Sequence, residues 1–156
     1  MIRREWLRLA GLSTLSMIGH RLLAHASAEP DVDLTLTAAP AQAALFPGAT
    51  TAVWTFTGAL IKGPADTVQA LPGSYLGPVL HLHTGQRVRI RFVNQLDEPS
   101  IVHWHGLDVP ELADGHPRFA IPGGAERIYE FTVTNRAGLY WYHPHPDMAT
   151  ASQAYR

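Results

Sequence analysis

The run Arg87-Val88-Arg89-Ile90-Arg91-Phe92-Val93 constrains the fold of this chain more than any other stretch. Apolar and charged residues alternate with period two. Val88, Ile90 and Phe92 therefore face one way and Arg87, Arg89 and Arg91 the other, the pattern of a strand with one buried and one wet face. Residues 127–133 alternate again, and residues 51–57 are rich in β-branched and aromatic side chains. Residues 101–105 and 138–143 read as two further short strands. Val32 to Leu36 alternate briefly and predict an edge strand, followed by a loop through the Ala/Pro-rich segment that ends at Pro47. Residues 58–78 and 106–118, each with several Gly and Pro, read as loops. Residues 94–99 read as a turn, and Pro122-Gly123-Gly124 as a tight turn. Beyond residue 28 no helical period persists, apart from a start over residues 150–156. Short strands punctuated by Gly and Pro predict an all-β antiparallel sandwich or barrel. A Greek-key sandwich calls for a further strand after Arg156, so the domain is expected to be incomplete at its C-terminal end.

Residues 1–28 read as an export signal, to be set aside from the fold. Arg3 and Arg4 open a basic region, a moderately apolar stretch follows from Leu7 to Leu23, and Ala26-Ser27-Ala28 fits a small-residue cleavage site. Arg3-Arg4-Glu5-Trp6-Leu7-Arg8 resembles a twin-arginine (Tat) signal. His20 and Arg21 interrupt the apolar run, which argues against a membrane span of roughly 20 apolar residues. The expectation is a mature domain over residues 29–156, exported to the periplasm or the cell exterior, with no membrane as partner once the signal is removed. An amphipathic N-terminal helix is the other reading of the leader.

The formal net charge is −1, so no electrostatic case exists for nucleic acid or an anionic surface as partner. Removing the leader takes away four Arg and one Glu and leaves 8 basic and 12 acidic residues. Cysteine is absent, which excludes disulfides, thiolate catalysis and Cys-containing metal sites.

Histidine is the anomaly: there are nine. His103-Trp104-His105 lies on an expected strand, where i and i+2 share a face, about 6.5–7 Å apart. That separation suits ligands to two neighbouring ions better than chelation of one. His143-Pro144-His145 ends a second strand. Pro144 cannot donate a ladder hydrogen bond, which marks an edge or a strand terminus. Four neutral imidazoles with no carboxylate or thiolate among them suit copper or zinc rather than magnesium or calcium. A single His-x-His is a weak signal, since a histidine on an exposed strand face is usually just solvated. Two such pairs, each flanked by aromatics, point to metal. His81-Leu82-His83 reads instead as a solvated strand face next to Gly85. His116 falls in a loop, exposed or just behind the ligands.

Ile101-Val-His-Trp-His-Gly-Leu-Asp-Val-Pro110 resembles the first copper motif of the multicopper oxidases, the laccase-like enzymes. Asp114-Gly115, Ile121-Pro122-Gly123 and Tyr129-Glu130-Phe131 resemble the segment that follows. Gly138-Leu-Tyr-Trp-Tyr-His-Pro-His145 resembles the second motif, and residues 150–155 the stretch that leads to the domain's last strand. The likeness runs, with gaps, from about Val53 to the end. It implies a cupredoxin-like Greek-key β-sandwich. It also implies copper at type 2 and type 3 positions of a trinuclear cluster that reduces dioxygen to water. By position, His103 is implied as a type 2 ligand, and His105, His143 and His145 as type 3 ligands. Asp114 falls where some members place an acid that delivers protons to the cluster; a turn Asp before Gly115 is the other reading. In that family a C-terminal domain carries the remaining ligands and the Cys-bearing type 1 copper. Dioxygen is thus an expected partner only if further cupredoxin domains or other chains complete the site. Three functions stay open: part of a copper oxidase, a copper-binding or buffering module without turnover, and a scaffold used for interaction.

Overall fold

A computed structural model describes residues 29–156. The expected leader over residues 1–28 lies outside the described residues. The chain folds as a cupredoxin-like β-sandwich. Its strands are β1 Val32–Ala43, β2 Thr51–Lys62, β3 Val68–Gln69, β4 Val79–Leu80, β5 Arg87–Asn94, β6 Val102–His105, β7 Glu126–Thr132 and β8 Trp141–Pro144, followed by a short helix α1, Thr150–Tyr155. One layer is a four-stranded sheet in the order β2-β1-β5-β7. The other consists of two separate pairs, β3-β4 and β6-β8.

The alternation read from β5 holds. Val88, Ile90 and Phe92 are buried, and each sits beside a residue of β1 in parallel register: Val32 with Val88, Leu34 with Ile90, Leu36 with Phe92. On the outer face, Arg89 pairs with Glu130 of β7 at 2.8 Å and Asp33 of β1 at 3.5 Å, and Arg91 pairs with Glu126 at 2.6 Å. These exposed ion pairs fix strand neighbours more than they add stability, each contributing about 0–1 kcal/mol. Tyr129 and Phe131 of β7 complete the buried face.

Two expectations are corrected. The run at Val32 is not an edge strand followed by a loop: β1 continues to Ala43 and lies inside the sheet, between β2 and β5. The Ala/Pro-rich segment remains extended because β2 pairs with it throughout, from Asp33–Lys62 to Ala43–Thr51. Pro40 is accommodated because the pairing with β5 ends at Ala38, which leaves one side of the strand free of a partner that would need its N–H. Residues 58–78 are likewise not all loop. β2 runs on to Lys62 and β3 follows. Gly58 is needed there because a Cβ would press on Val68 at 2.8 Å and Pro78 at 2.9 Å.

The β6-β8 pair lies over the four-stranded sheet through its inward side chains. Trp104 meets Tyr129 edge-on at 5.3 Å and Phe131 at 5.9 Å, while Tyr142 meets Phe56 at 5.5 Å. The backbone N–H of Val102 donates to the Tyr129 hydroxyl at 2.9 Å, tying β6 to β7. The helix expected near residue 150 is present. Gln153, buried on α1, accepts from Ser100 Oγ at 2.9 Å and donates through Nε2 to the Pro99 carbonyl at 2.9 Å. Among the described residues, no helix is long and apolar enough to cross a membrane.

Candidate metal centre

The two His-x-His segments are antiparallel neighbours. In register, His103 lies opposite His143, and His105 opposite Trp141. Side chains alternate across a strand, so with Trp104 and Tyr142 turned to the core these four residues share the opposite face. His145 follows just past β8, its backbone N–H donating to the Ile101 carbonyl at 2.9 Å. The structure thus gathers all four histidines singled out from the sequence. The His103 ring lies 5.4 Å from that of His105, 5.4 Å from His143 and 5.2 Å from His145. One ring nitrogen from each of His103, His105 and His143 falls within 4.8 Å of the others.

Hydrogen bonds set which nitrogens face the centre. Nδ1 of His103 is 2.6 Å from the carbonyl oxygen of Asp114, and Nδ1 of His143 is 2.8 Å from that of Pro144. A carbonyl only accepts, so each Nδ1 carries the proton and each neutral ring presents Nε2 as a lone pair. A ligating imidazole is held in this way by a partner on its other nitrogen. His105 presents Nδ1, 3.4 Å from Nε2 of His143. Two nitrogens each about 2.0–2.1 Å from one tetrahedral ion stand about 3.3 Å apart, so this separation fits coordination of a shared ion. Among the described residues, Nδ1 of His145 is buried and finds no hydrogen-bond partner, an arrangement that is costly unless something occupies it. Burial pushes the pKa of His143 down; the Pro144 carbonyl opposes this and the neighbouring imidazoles add to it. The ring is therefore biased to the neutral form that binds metal. A carboxylate-free set of imidazoles, with lone pairs converging and one buried nitrogen unpartnered, fits copper.

Asp114 reaches the centre in two ways. Its carbonyl holds His103, and its carboxylate Oδ1 lies 3.3 Å from the same Nδ1, with the side chain 41% exposed. What brings it there is Gly115. Gly115 has φ of +79°, and a Cβ on it would overlap the Val102 carbonyl and approach His103 Cα at 2.7 Å. Only glycine lets the loop lie this close to β6. Its place directly after Asp114, ten residues past the first histidine pair, was the available signal. His81 and His83 are exposed, as expected, but they follow β4 rather than lying in a strand; His81 Nε2 contacts Gln69 Oε1 at 2.8 Å. His116 is exposed and accepts through Nδ1 from the Arg118 N–H at 3.2 Å. None of these three joins the cluster.

A family model described as multicopper oxidase matches residues 51–155. The chain belongs to the multicopper oxidase family. The multicopper oxidase of Staphylococcus aureus is 43% identical over 94 residues, covering 60% of this chain and 21% of that protein. A copper resistance protein A homolog of Pseudomonas syringae pv. tomato is 37% identical over 98 residues, covering 61% of this chain and 16% of that protein. The crystal structure of a multi-copper oxidase from Pediococcus acidilactici superposes with a TM-score of 0.66 at 32% identity, over 81% of this chain and 25% of that one. The chain thus spans about a sixth to a quarter of the length of these relatives.

Proposed function

We propose that this chain contributes four imidazole ligands to a trinuclear copper cluster of a multicopper oxidase, one that reduces dioxygen to water. His103 serves the type 2 position, and His105, His143 and His145 the type 3 positions. The observation that carries this reading is the 3.4 Å separation of His105 Nδ1 and His143 Nε2, contributed by two strands in register. When bound, copper supplies one-electron and dioxygen chemistry. The protein's own residues do the rest. The carbonyls of Asp114 and Pro144 hold the His103 and His143 rings in one tautomer. The half-exposed carboxylate of Asp114 stands between solvent and His103, the placement a proton-delivering acid needs.

With no cysteine in the chain, a His/Cys type 1 centre and the remaining cluster ligands would come from other domains or chains. The same absence favours a second reading for the isolated polypeptide, copper binding or buffering without turnover. Retention of all four histidines weighs against a pure interaction scaffold. Residues 1–28 are proposed to direct Tat export to the periplasm or the cell exterior.

Copper titration with EPR tests the assignment. The chain should bind Cu(II) through imidazole nitrogen at less than three ions per chain, with no blue thiolate-to-copper band and no oxygen uptake with phenols. His105→Ala with His143→Ala should remove most of the binding. Unchanged stoichiometry and hyperfine structure in the double variant would refute the ligand set.

A further inference from the structure

The site face of the β6-β8 pair has four corners: His103, His105, His143 and Trp141. Three are imidazoles and the fourth is an indole. The Trp141 ring lies 4.2 Å from that of His143 at an interplanar angle of 26°, and 4.8 Å from that of His105 at 29°. It is stacked on both rings whose nitrogens stand 3.4 Å apart. Burial in the core does not account for it, because Trp141 is 56% exposed.

The three clustered imidazoles also differ in what holds them. His103 and His143 each donate to a backbone carbonyl. His105 has no such partner among the described residues; its one ring contact of hydrogen-bonding kind is with His143 itself. The ring torsion of a histidine is broad and weakly restrained by its own covalent geometry. The stacked indole lies against the face of the His105 ring at 4.8 Å and restrains its plane, while the His103 ring meets it only edge-on at 5.4 Å. It also covers one side of the His105–His143 pair against water.

Resting on the ligand assignment above, we propose that Trp141 is the positioning residue of the His105–His143 pair. Its ring fixes both imidazole planes so that Nδ1 of one and Nε2 of the other face a common ion, and copper affinity depends on that stacking. Trp141 touches no reacting atom and is not assigned a catalytic role. Partners that orient a ligating histidine typically contribute about 10–100-fold in metal affinity.

The test is Cu(II) titration of the full chain against a competing chelator, for wild type, Trp141→Leu and Trp141→Phe, with thermal unfolding of each metal-free protein. Trp141→Leu should bind copper about 10–100-fold more weakly. Trp141→Phe, which keeps an aromatic face, should stay within about threefold, and the metal-free unfolding temperatures should differ little. Wild-type affinity in Trp141→Leu, or equal weakening in both variants, overturns the proposal. Where His105→Ala with His143→Ala still loses copper, the ligand assignment survives that failure; where it does not, both readings fail together. If Trp141→Leu does not fold, fluorescence decides. The difference between wild-type and Trp141→Phe emission isolates the indole, and the first equivalent of Cu(II) should extinguish it. Emission that survives saturation overturns the proposal.

Discussion

The carbonyl oxygen of Asp114 accepts a hydrogen bond from Nδ1 of His103 at 2.6 Å, across a turn that Gly115 alone makes possible. Gly115 couples the loop to His103, because any side chain there would meet the β6 backbone. Gly115→Ala should destabilise the fold by about 1–3 kcal/mol, through strain at positive φ and displacement of the loop. It should also free the His103 ring. Urea unfolding of the metal-free chain checks the first effect and copper titration the second. A variant with wild-type stability and affinity would show that the loop does not hold His103.

Metal-free stability should fall on mild acidification. Burial holds the His143 pKa below its ordinary 6.5, so between the two values the unfolded chain binds the proton that the folded chain refuses. The contribution is fully present above about pH 6.5 and is lost as pH falls through the lowered folded value. Denaturation midpoints between pH 7.5 and 5 should decline more steeply in wild type than in His143→Gln.

A second loss lies at the alkaline end. Burial pushes the Tyr129 pKa up to about 12, opposed in part by the Val102 N–H and by Arg127. The unfolded chain loses the phenolic proton first, so stability is intact below about pH 10 and is lost as pH rises through about 12. Burial raises Tyr142 too, and its loss adds to that of Tyr129. Tyr129→Phe should flatten part of this profile. It should also cost about 1–3 kcal/mol at neutral pH, because the buried Val102 N–H loses its acceptor.

Export should depend on Arg3 and Arg4. Replacing both with Lys should block translocation, since the Tat receptor reads the arginine pair itself. N-terminal sequencing of the exported protein should begin at Glu29. A mature N-terminus at Met1 in the exported fraction rules the signal reading out.

The parts of the fold legible in the sequence were those fixed by local pattern. The alternation of β5 and β7 announced which side chains are buried, and the two His-x-His segments announced the histidines that cluster. Alternation assigns a face, however, and not a neighbour. Val32 pairs with Val88 in parallel, 56 positions apart, and nothing in the 32–36 run declares that partner. The Ala and Pro content of residues 38–43 hid the rest of β1. At the site, Asp114 stood out for its carboxylate, yet its carbonyl makes the shorter contact. Trp141 was visible only as one aromatic among several, because its place opposite His105 follows from strand register.

The β6-β8 pair consists of four residue pairs, and two-stranded ribbons of this kind are marginal in water without further support. His105 and His143 belong to different strands and are 38 positions apart. An ion shared between them would therefore act as a cross-link. A covalent bond closing a loop of that span restricts the unfolded chain by about 4 kcal/mol, and coordination that exists only in the folded chain adds its own binding free energy to folding. In a polypeptide without cysteine, copper would then take the place of a disulfide clasp. Copper starvation would loosen the sandwich at this short ribbon, so that metallation and proteolytic survival become one property.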